Sequence, residues 1–538
     1  MTERKMAFQV AMVVAAGSVV LPAPRSLAAQ DTARGKVVYD KWCAQCHGDT
    51  GAGDGPAARY MLPRPRDFTA ALYQFRTTPS GQLPTDEDLR RVIDAGVPGT
   101  AMPGWQDRLS AADRREVLAY IKTFSAFFAD STQRPQPLDF GGAPGGGAEA
   151  LRLGRQFYDS IGCAKCHGAA GRGDGSSAPT LDDDMGMPIV PADLTQAWRF
   201  NGGSSVEEIY RRLRTGLDGT PMPSFSDLIE QKFLTDQELW HLARYVRSLS
   251  PDEPPRVRDV IRARQIAGAV PASPDDSAWA GVDRYYFPLV GQIIRKARWF
   301  APAVDGIWVQ ALHNGERVAL RLSWNDRSHS PDSAWLEYAG KVLGALAGDD
   351  SVPPSPARSP AVEPWPDRVA VQFPQRIPEG MERPYFLMGS GSAPVVQWRW
   401  ASRAPSSGAV AGLARGLERF DPLPGASASI GAQSVYDNGA WRVVLTRALA
   451  TADTTNDLQF RTGRAIPLAL FAWDGSSGEH GSRLAVSAWY FLALDRATPA
   501  RVFVAPVVAM ALTLGLGLWV VRRAQGSTES GRREAGRV

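Results

Sequence analysis

The 538-residue sequence predicts a multidomain chain: two all-α domains, then an all-β sandwich domain, then a single C-terminal transmembrane helix. Three observations predict this. A Cys-x-x-Cys-His motif occurs twice in the first half of the chain, and Thr85-Asp-Glu-Asp88 and Thr235-Asp-Gln-Glu238 predict capping boxes that begin helices. After residue 283 the period becomes two, as where Val318, Leu320, Leu322 and Trp324 alternate with Ala319, Arg321 and Ser323 on the other face, which is typical of strands. Finally, Val502 to Val521 is an uncharged run long enough to cross a bilayer as a helix.

The repeated motif reads Cys-Ala-Gln-Cys-His from position 43 and Cys-Ala-Lys-Cys-His from position 163. This pattern is typical of c-type haem attachment, in which two cysteine sulfurs bind the haem vinyl groups and the histidine binds iron. A zinc site would need a second pair of ligands, and the chain has only these four cysteines. The sequence therefore predicts two covalent haems. The attachment residues are Cys43, Cys46, Cys163 and Cys166, and the iron-binding histidines are His47 and His167.

The similarity between the two copies extends well beyond the motif. Gly53-Asp-Gly55 recurs 120 positions later, and Met102-Pro103 recurs as Met222-Pro223 at the same interval. These segments resemble class I cytochrome c domains, in which a methionine on a loop before the last helix is the sixth iron ligand. The resemblance implies that Met102 and Met222 bind iron, with core packing as the alternative for each. Methionines 61, 185 and 187 have no equivalent in the other copy.

Both ends of the chain carry targeting signals. Arg4 and Lys5 precede an apolar run that ends in small residues near Ala28, which predicts a cleaved signal peptide, with a membrane anchor as the alternative. Arginines 522 and 523 directly follow the C-terminal apolar run, a mild positive-inside bias. We therefore expect a single-pass protein at the periplasmic face of the bacterial cytoplasmic membrane, with a cytoplasmic C-terminus.

Composition, repeats and linker signals together predict the domain boundaries. Glycine- and proline-rich stretches separate the helical copies from each other and from the β region. The predicted segments are a signal peptide (1–29), cytochrome c domain 1 (31–129), a linker (130–147), cytochrome c domain 2 (148–250), a second linker (251–282), the β-sandwich (283–495), the transmembrane helix (502–521) and a cytoplasmic tail (522–538).

The β region also contains motifs that suggest a family. They are Phe287-Pro-Leu, Leu322-Ser-Trp-Asn-Asp326, Val369-Ala-Val-Gln-Phe-Pro374, Pro384-Tyr-Phe-Leu-Met-Gly389, Pro394-Val-Val-Gln-Trp-Arg-Trp400 and Ser487-Ala-Trp-Tyr-Phe-Leu492. In this order they resemble the haem b-binding γ subunits of ethylbenzene dehydrogenase and related type II dimethyl-sulfoxide-reductase-family molybdoenzymes. The resemblance covers about residues 283 to 495.

The resemblance implies one non-covalent haem b in this domain. In the family a methionine, here Met388, is one axial ligand and a later lysine is the other. This chain has no lysine after Lys341, and His480 is the only histidine after Met388, so His480 is proposed as the second ligand. Core packing of Met388 and a loop position for His480 stay open. In that case the domain would keep only a docking face.

These features predict an electron-transfer protein. The net charge of +4 gives no argument for nucleic acid, and no nucleophile elbow, phosphate loop or paired-carboxylate site is recognisable. The expected role is a non-catalytic subunit with two haems c and one haem b, which passes electrons between a molybdenum/iron–sulfur oxidoreductase and a downstream cytochrome or respiratory complex. The alternative is a dihaem c-type dehydrogenase whose sandwich binds a ligand or partner.

Overall fold

The computed structural model describes residues 27–130, 132–347, 353–380, 382–403, 408–496 and 501–535. The predicted signal peptide lies almost wholly outside these ranges. The described residues form two compact units. The first contains residues up to 58 together with 65–139, and the second contains residues 59–64 together with those from 140 onward.

The first unit is helical. Its helices are α1 (Leu27–Trp42), α2 (Ala44–His47), α3 (Asp86–Ala95) and α4 (Ala111–Lys122). Thr85 accepts from the backbone of Asp88, and Asp88 caps Thr85 in return, so the predicted capping box at the start of α3 is confirmed. Ser110 caps α4 through the backbone N–H of Asp113. Buried side chains from α1, α3 and α4 form one core.

The second unit begins with the same helical arrangement. Its helices are α5 (Ala148–Ser160), α6 (Ala164–His167), α7 (Val206–Thr215), α8 (Ser226–Glu230) and α9 (Asp236–Ser248). The predicted capping box at Thr235 and Glu238 is present and begins α9. Tyr210 and Trp240 stack with their ring centroids 3.7 Å apart inside this core. The internal repeat in the sequence is therefore a repeat of helical structure.

The rest of the second unit is built on a 14-stranded sheet. The strands are β1 (Val260–Gln265), β2 (Tyr285–Pro288), β3 (Val290–Gly291), β4 (Gly306–His313), β5 (Arg317–Asn325), β6 (Arg368–Pro374), β7 (Val395–Ala401), β8 (Ala409–Ala414), β9 (Phe420–Pro422), β10 (Gly431–Tyr436), β11 (Ala440–Ala448), β12 (Ala465–Trp473), β13 (Ala485–Val486) and β14 (Tyr490–Leu494). The main order is β10-β11-β5-β4-β1-β14-β12-β6-β7-β8-β9.

The two arms of this sheet share one apolar core. Trp324 of β5 and Trp441 of β11 contact Trp400 of β7, although β7 lies at the other end of the strand order. Val318, Leu320 and Leu322 of β5, predicted as the inward face, are fully buried. The two ends of the sheet therefore pack face to face. The alternating apolar residues of β5 lie on the face that points into this shared core.

Two features differ from the sequence expectation. Strand β1 lies inside the predicted linker 251–282 and pairs in parallel with both β14 and β4, so this segment is part of the sheet. Helix α10 (Ser333–Ala345) occurs within the domain predicted to be all-β. Asp332 caps it, and Trp335, Ala339 and Val342 bury one face at helical spacing. The helix was not predicted because its 13 residues lie between two strongly alternating segments, β5 and β6.

The last described element is the helix α11 (Arg501–Ala535). Within it, Val502–Gln525 is long and apolar enough to cross a membrane, with a mean hydropathy of 2.2 and no residue buried in the protein. Its apolar side chains are exposed on all sides, as a lipid-facing helix requires. It is the one such helix among the described residues, and it includes the predicted span 502–521.

Candidate haem centres

The first Cys-x-x-Cys-His motif forms the single-turn helix α2. His47 is buried, and its Nδ1 donates to the carbonyl oxygen of Arg66 at 3.0 Å. That bond fixes the tautomer and leaves Nε2 with a free lone pair, which is the arrangement of a metal-binding histidine. Burial lowers the pKa of His47, which favours the neutral form that binds metal. The Tyr39 hydroxyl donates to Gly48 O at 2.7 Å and closes the turn after the motif.

The second motif reproduces these contacts. His167 Nδ1 donates to Ala192 O at 3.0 Å, and burial lowers the pKa of His167. The Tyr158 hydroxyl donates to Gly168 O at 2.6 Å. Two histidines presented in the same way indicate two equivalent iron-binding positions.

The cysteines of both motifs are half-buried and unpaired. Burial raises the pKa of Cys43 to about 12 and that of Cys163 to about 11. A catalytic or redox-active thiol needs the opposite shift. The sulfur environment therefore does not fit a thioredoxin-type site.

The two predicted methionine ligands lie on equivalent loops. The Met102 N–H donates to Thr100 Oγ1 at 3.1 Å, and its carbonyl accepts from Val97 N at 3.0 Å. The Met222 N–H donates to Thr220 Oγ1 at 3.3 Å in the same way. Both side chains are half-buried and pack against the core that contains the motif of their own copy.

A close helix crossing supports each motif, and the sequence reasoning missed it. A Cβ on Gly35 of α1 would lie 2.1 Å from the carbonyl oxygen of Glu116 on α4. A Cβ on Gly154 of α5 would lie equally close to the carbonyl oxygen of His241 on α9. Only glycine permits this approach. The recurrence of Gly35 as Gly154 in the aligned copies was the available signal.

The second motif is also tied to the sheet. Asp193 and Thr195 lie one and three positions after Ala192, whose carbonyl oxygen accepts from His167. The Asn325 side-chain amide at the end of β5 donates to Thr195 Oγ1 at 3.0 Å, and also contacts Asp193. The second helical copy therefore has a fixed position against the sheet through the same loop that orients its histidine.

Met388 has an unusual conformation. It is buried, with 1% of its surface exposed, and its φ is +62°, a region that non-glycine residues rarely occupy. The Gly416 N–H donates to Met388 O at 2.8 Å and helps to hold this backbone. An Arg399 Nη2 lies 3.5 Å from the Met388 sulfur. Met388 also packs in a buried apolar cluster with Leu387, Val395 and Phe471, so its role as an iron ligand stays a prediction.

A cavity of about 300 Å³ opens beside Arg399 on the face of the sheet formed by β6, β7 and β8. Arg368, Arg399 and Trp473 line it, together with residues of the β7–β8 turn. Burial, and then the nearby Arg368, lowers the pKa of Arg399 to about 10. Burial likewise lowers the pKa of Arg368.

His480 lies near the same cavity. Its ring stacks on Trp365 with centroids 4.9 Å apart, and the Arg368 guanidinium lies 5.7 Å from the same Trp365 ring. The His480 side chain is partly buried, and its Nδ1 is 3.4 Å from Gly478 O. Arg399 thus contacts Met388 directly, whereas Arg368 and His480 are connected only through Trp365, and neither Met388 nor His480 is among the lining residues of the cavity.

A cluster of three buried carboxyl groups was not predicted. Oxygens of Asp326, Asp367 and Asp474 lie within 4.8 Å of one another. Burial raises the pKa of each, to about 6 for Asp474. Each also accepts hydrogen bonds from nearby donors, including Ser330 N to Asp367 and Ser477 N to Asp474. The cluster joins the end of β5, the start of β6 and the end of β12.

Comparison with known proteins places these sites in a family. The model for cytochrome c oxidase cbb3-type subunit III matches residues 30–121, the cytochrome c model matches 151–250, and the ethylbenzene dehydrogenase model matches 414–485. The last match includes His480 but not Met388. Cytochrome c55X of Paracoccus denitrificans is 37% identical over 20% of this chain and 87% of its own length. The fold and the duplicated sites thus define a haem-carrying electron carrier, and the chain belongs to the c-type cytochromes.

The chain is also similar to a second protein and to a chain of known structure. A protein of Haloferax mediterranei named as a respiratory nitrate reductase heme subunit is 25% identical over 41% of this chain and 67% of its own length. A chain of the Kuenenia stuttgartiensis reducing HAO-like protein complex is 46% identical, with 40% of this chain and 96% of that chain covered and a TM-score of 0.38. The family models matched to residues 30–121, 151–250 and 414–485 show a multihaem cytochrome with two covalent haem c domains and an ethylbenzene-dehydrogenase-like region.

Proposed function

We propose that this protein is a membrane-anchored electron-transfer subunit with two haems c and one haem b. It passes electrons between a molybdenum/iron–sulfur oxidoreductase and a downstream cytochrome or respiratory complex. The duplicated histidine geometry carries the proposal, because both Nδ1 atoms donate to a backbone carbonyl and leave Nε2 free. When bound, haem iron supplies one-electron redox chemistry.

The residues around each haem c favour electron transfer over catalysis. His47 with Met102, and His167 with Met222, would occupy both axial positions and leave none for a substrate. Thr100 and Thr220 anchor the methionine loops, so each thioether is presented from a fixed backbone. The buried aromatic cores behind the motifs exclude water from one side of each site.

For haem b we propose Met388 and His480 as the axial ligands. The positive φ of Met388, its contact with the cavity residue Arg399, and the stacking of His480 on Trp365 next to the cavity residue Arg368 support this assignment. Histidine would replace the lysine that the family uses, because the chain has no lysine after Lys341. Imidazole is a good ligand for haem iron.

The relatives and the C-terminal helix support the proposed partner and location. One relative is named as a heme subunit of a nitrate reductase, and the ethylbenzene dehydrogenase model matches part of the sheet region. Both names support an oxidoreductase as the partner. Val502–Gln525 would hold the haem domains at the periplasmic face, with the following arginines on the cytoplasmic side.

The test is a pyridine haemochrome assay on the detergent-purified full chain, with acid–acetone extraction to separate loose haem from covalent haem. The expected result is two haems c and one extractable haem b per chain. Two haems c without haem b, after growth with ample haem, would contradict the haem b assignment. Substrate turnover by the isolated chain, or a five-coordinate haem c, would support the dihaem c-type dehydrogenase instead.

A further inference from the structure

Two arginines, Arg368 and Arg399, line the cavity on β6, β7 and β8, and Arg399 also contacts Met388, which is not one of the lining residues. Among the residues that the structure describes, neither Arg368 nor Arg399 forms an ion pair with an acidic side chain. The Nε and Nη2 of Arg368 are buried without any hydrogen-bond partner. Arg399 donates only to Gln397 Oε1 and to the Met388 sulfur, and its guanidinium lies 3.9 Å from the Phe420 ring centroid.

The one carboxylate next to Arg368 in sequence is already occupied. Asp367 Oδ2 accepts from Ser330 N at 2.9 Å and from Trp441 Nε1 at 3.1 Å, on the side of the shared core. Its Oδ1 accepts from Gly475 N. Buried donors and unpaired buried cations are rare in folded proteins unless a ligand satisfies them. The arginines therefore point to an anionic ligand in the cavity.

The register of the sheet sets the spacing of the two charges. Arg368 of β6 pairs with Ala401 of β7, and Arg399 of β7 pairs with Ala370 of β6. The two arginines are thus diagonal neighbours on adjacent strands, about 7–8 Å apart at their backbones. Two arginine side chains that leave the sheet from such neighbouring positions can each bind one of two carboxylates on the same molecule.

We propose that Arg368 and Arg399 bind the two propionate carboxylates of haem b, with Arg399 connecting the carboxylates to Met388 through its contact with the Met388 sulfur. This inference rests on the proposed function, because it requires that the domain binds haem b. Trp473 and Trp365 flank the Arg368 guanidinium, with ring centroids 5.4 and 5.7 Å away, and supply flat apolar surface beside it. The site thus combines apolar walls with two fixed cations, as a dicarboxylate tetrapyrrole requires.

The first test needs no mutation. Haem b is removed from the purified full chain by transfer to apomyoglobin, and the chain is then titrated with haem or with haem dimethyl ester, whose propionates carry no charge. The covalent haems c serve as the internal concentration standard. We expect the ester to bind more weakly by about tenfold or more for each lost arginine–carboxylate pair.

Arginine variants test whether Arg368 and Arg399 cause the weaker binding of the ester. In the double variant Arg368→Gln/Arg399→Gln, haem and its ester should bind equally, while Arg399→Lys should keep part of the preference because it keeps the charge. Arg321→Gln is the matched control, since Arg321 is also partly buried on a strand and donates to Gln310 rather than to a carboxylate. It should retain the full preference for haem.

The outcomes separate this inference from the proposed function. A wild-type chain that binds haem b but does not distinguish haem from its ester overturns the propionate assignment and leaves the haem b site standing. A wild-type chain that neither contains nor takes up haem b overturns both. If the arginine variants fail to incorporate their haems c, the ester titration of the wild-type chain decides alone.

Discussion

At the scale of single residues, the histidines and methionines of the two helical copies are the predicted iron ligands. Each histidine donates from Nδ1 to a backbone carbonyl, so its Nε2 carries a lone pair that can bind a metal such as iron. Each methionine is held by a threonine two residues earlier. These contacts make the assignment of Met102 and Met222 testable without a partner protein.

Replacing Met222 by alanine should remove one of the three proposed thioether–iron bonds, the others being those of Met102 and Met388. We expect the long-wavelength sulfur-to-ferric-iron absorption band to fall by about one third, and the midpoint potential of the second haem c to drop, because methionine ligation favours reduced iron. Redox titration followed by absorption spectroscopy measures both. Met185→Ala is the control, since Met185 is exposed and has no counterpart in the first copy. An undiminished band in Met222→Ala would exclude Met222 as a ligand.

The buried carboxyl cluster makes stability depend on pH. Burial, and then repulsion from Asp367, raises the pKa of Asp474 from 3.8 to about 6, and Asp326, Glu479 and Arg327 are its other charged neighbours. The folded state thus binds the proton more tightly than the unfolded state does. The contribution of protonated Asp474 to the free energy of unfolding is fully present below pH 3.8 and is lost as the pH rises through about 6.

Asp474→Asn should therefore flatten the fall in the free energy of unfolding over this pH range, because asparagine keeps an acceptor oxygen but cannot ionise. Denaturant unfolding at several pH values, followed by circular dichroism, measures the slope. Asp453→Asn is the control of opposite sign. Hydrogen bonds from Asn456 lower the pKa of Asp453, so the contribution of Asp453 to the free energy of unfolding grows as the pH rises. An unchanged slope in Asp474→Asn would show that the cluster does not titrate in this way.

At the scale of elements, the close crossing of α5 and α9 holds the second haem c copy together. Gly154 faces the backbone of His241 with no room for a methyl group, and Tyr158 and Tyr245 meet edge-on, with ring centroids 5.5 Å apart, beside it. The crossing places Tyr158 so that its hydroxyl reaches Gly168, directly after the motif. Helix packing therefore shapes the haem-binding turn.

Gly154→Ala should destabilise the protein by about 1–3 kcal/mol, because the helices must separate to admit the methyl group. The expected signs are a lower unfolding midpoint and reduced haem c content of the second site. Gly142→Ala is the control, since a Cβ there meets open space. If Gly154→Ala has wild-type stability and haem content, the crossing tolerates a wider separation than these distances imply.

At the scale of the whole molecule, the helix Val502–Gln525 separates a haem-carrying part from a short tail. Truncation after residue 496 should move the protein from the membrane to the soluble fraction and leave both haems c in place, because no haem c ligand lies on the helix. Cell fractionation with haem staining measures this. Deletion of 526–538 alone keeps the helix and should keep the protein in the membrane. A truncated chain that stays membrane-bound would indicate a second attachment.

The residues with covalent or repeated signatures were predictable from the sequence. Cysteine spacing, the repeat interval and the capping residues Thr85 and Thr235 depend on local chemistry, which is written directly in the chain. The match of cytochrome c models to both copies confirms the predicted class of those domains. The sequence also predicted the C-terminal span, because hydropathy alone identifies it.

The sequence by itself determined the two haem c motifs, the helical repeat and the apolar helix, since each follows from residue type and spacing along the chain. The tertiary structure alone decided that β1 completes the sheet through parallel pairs, that Gly35 and Gly154 lie at helix crossings, and that Arg368 and Arg399 meet in one cavity. These features join residues from distant parts of the chain. Their energies come from packing and from charges brought together only when the chain folds.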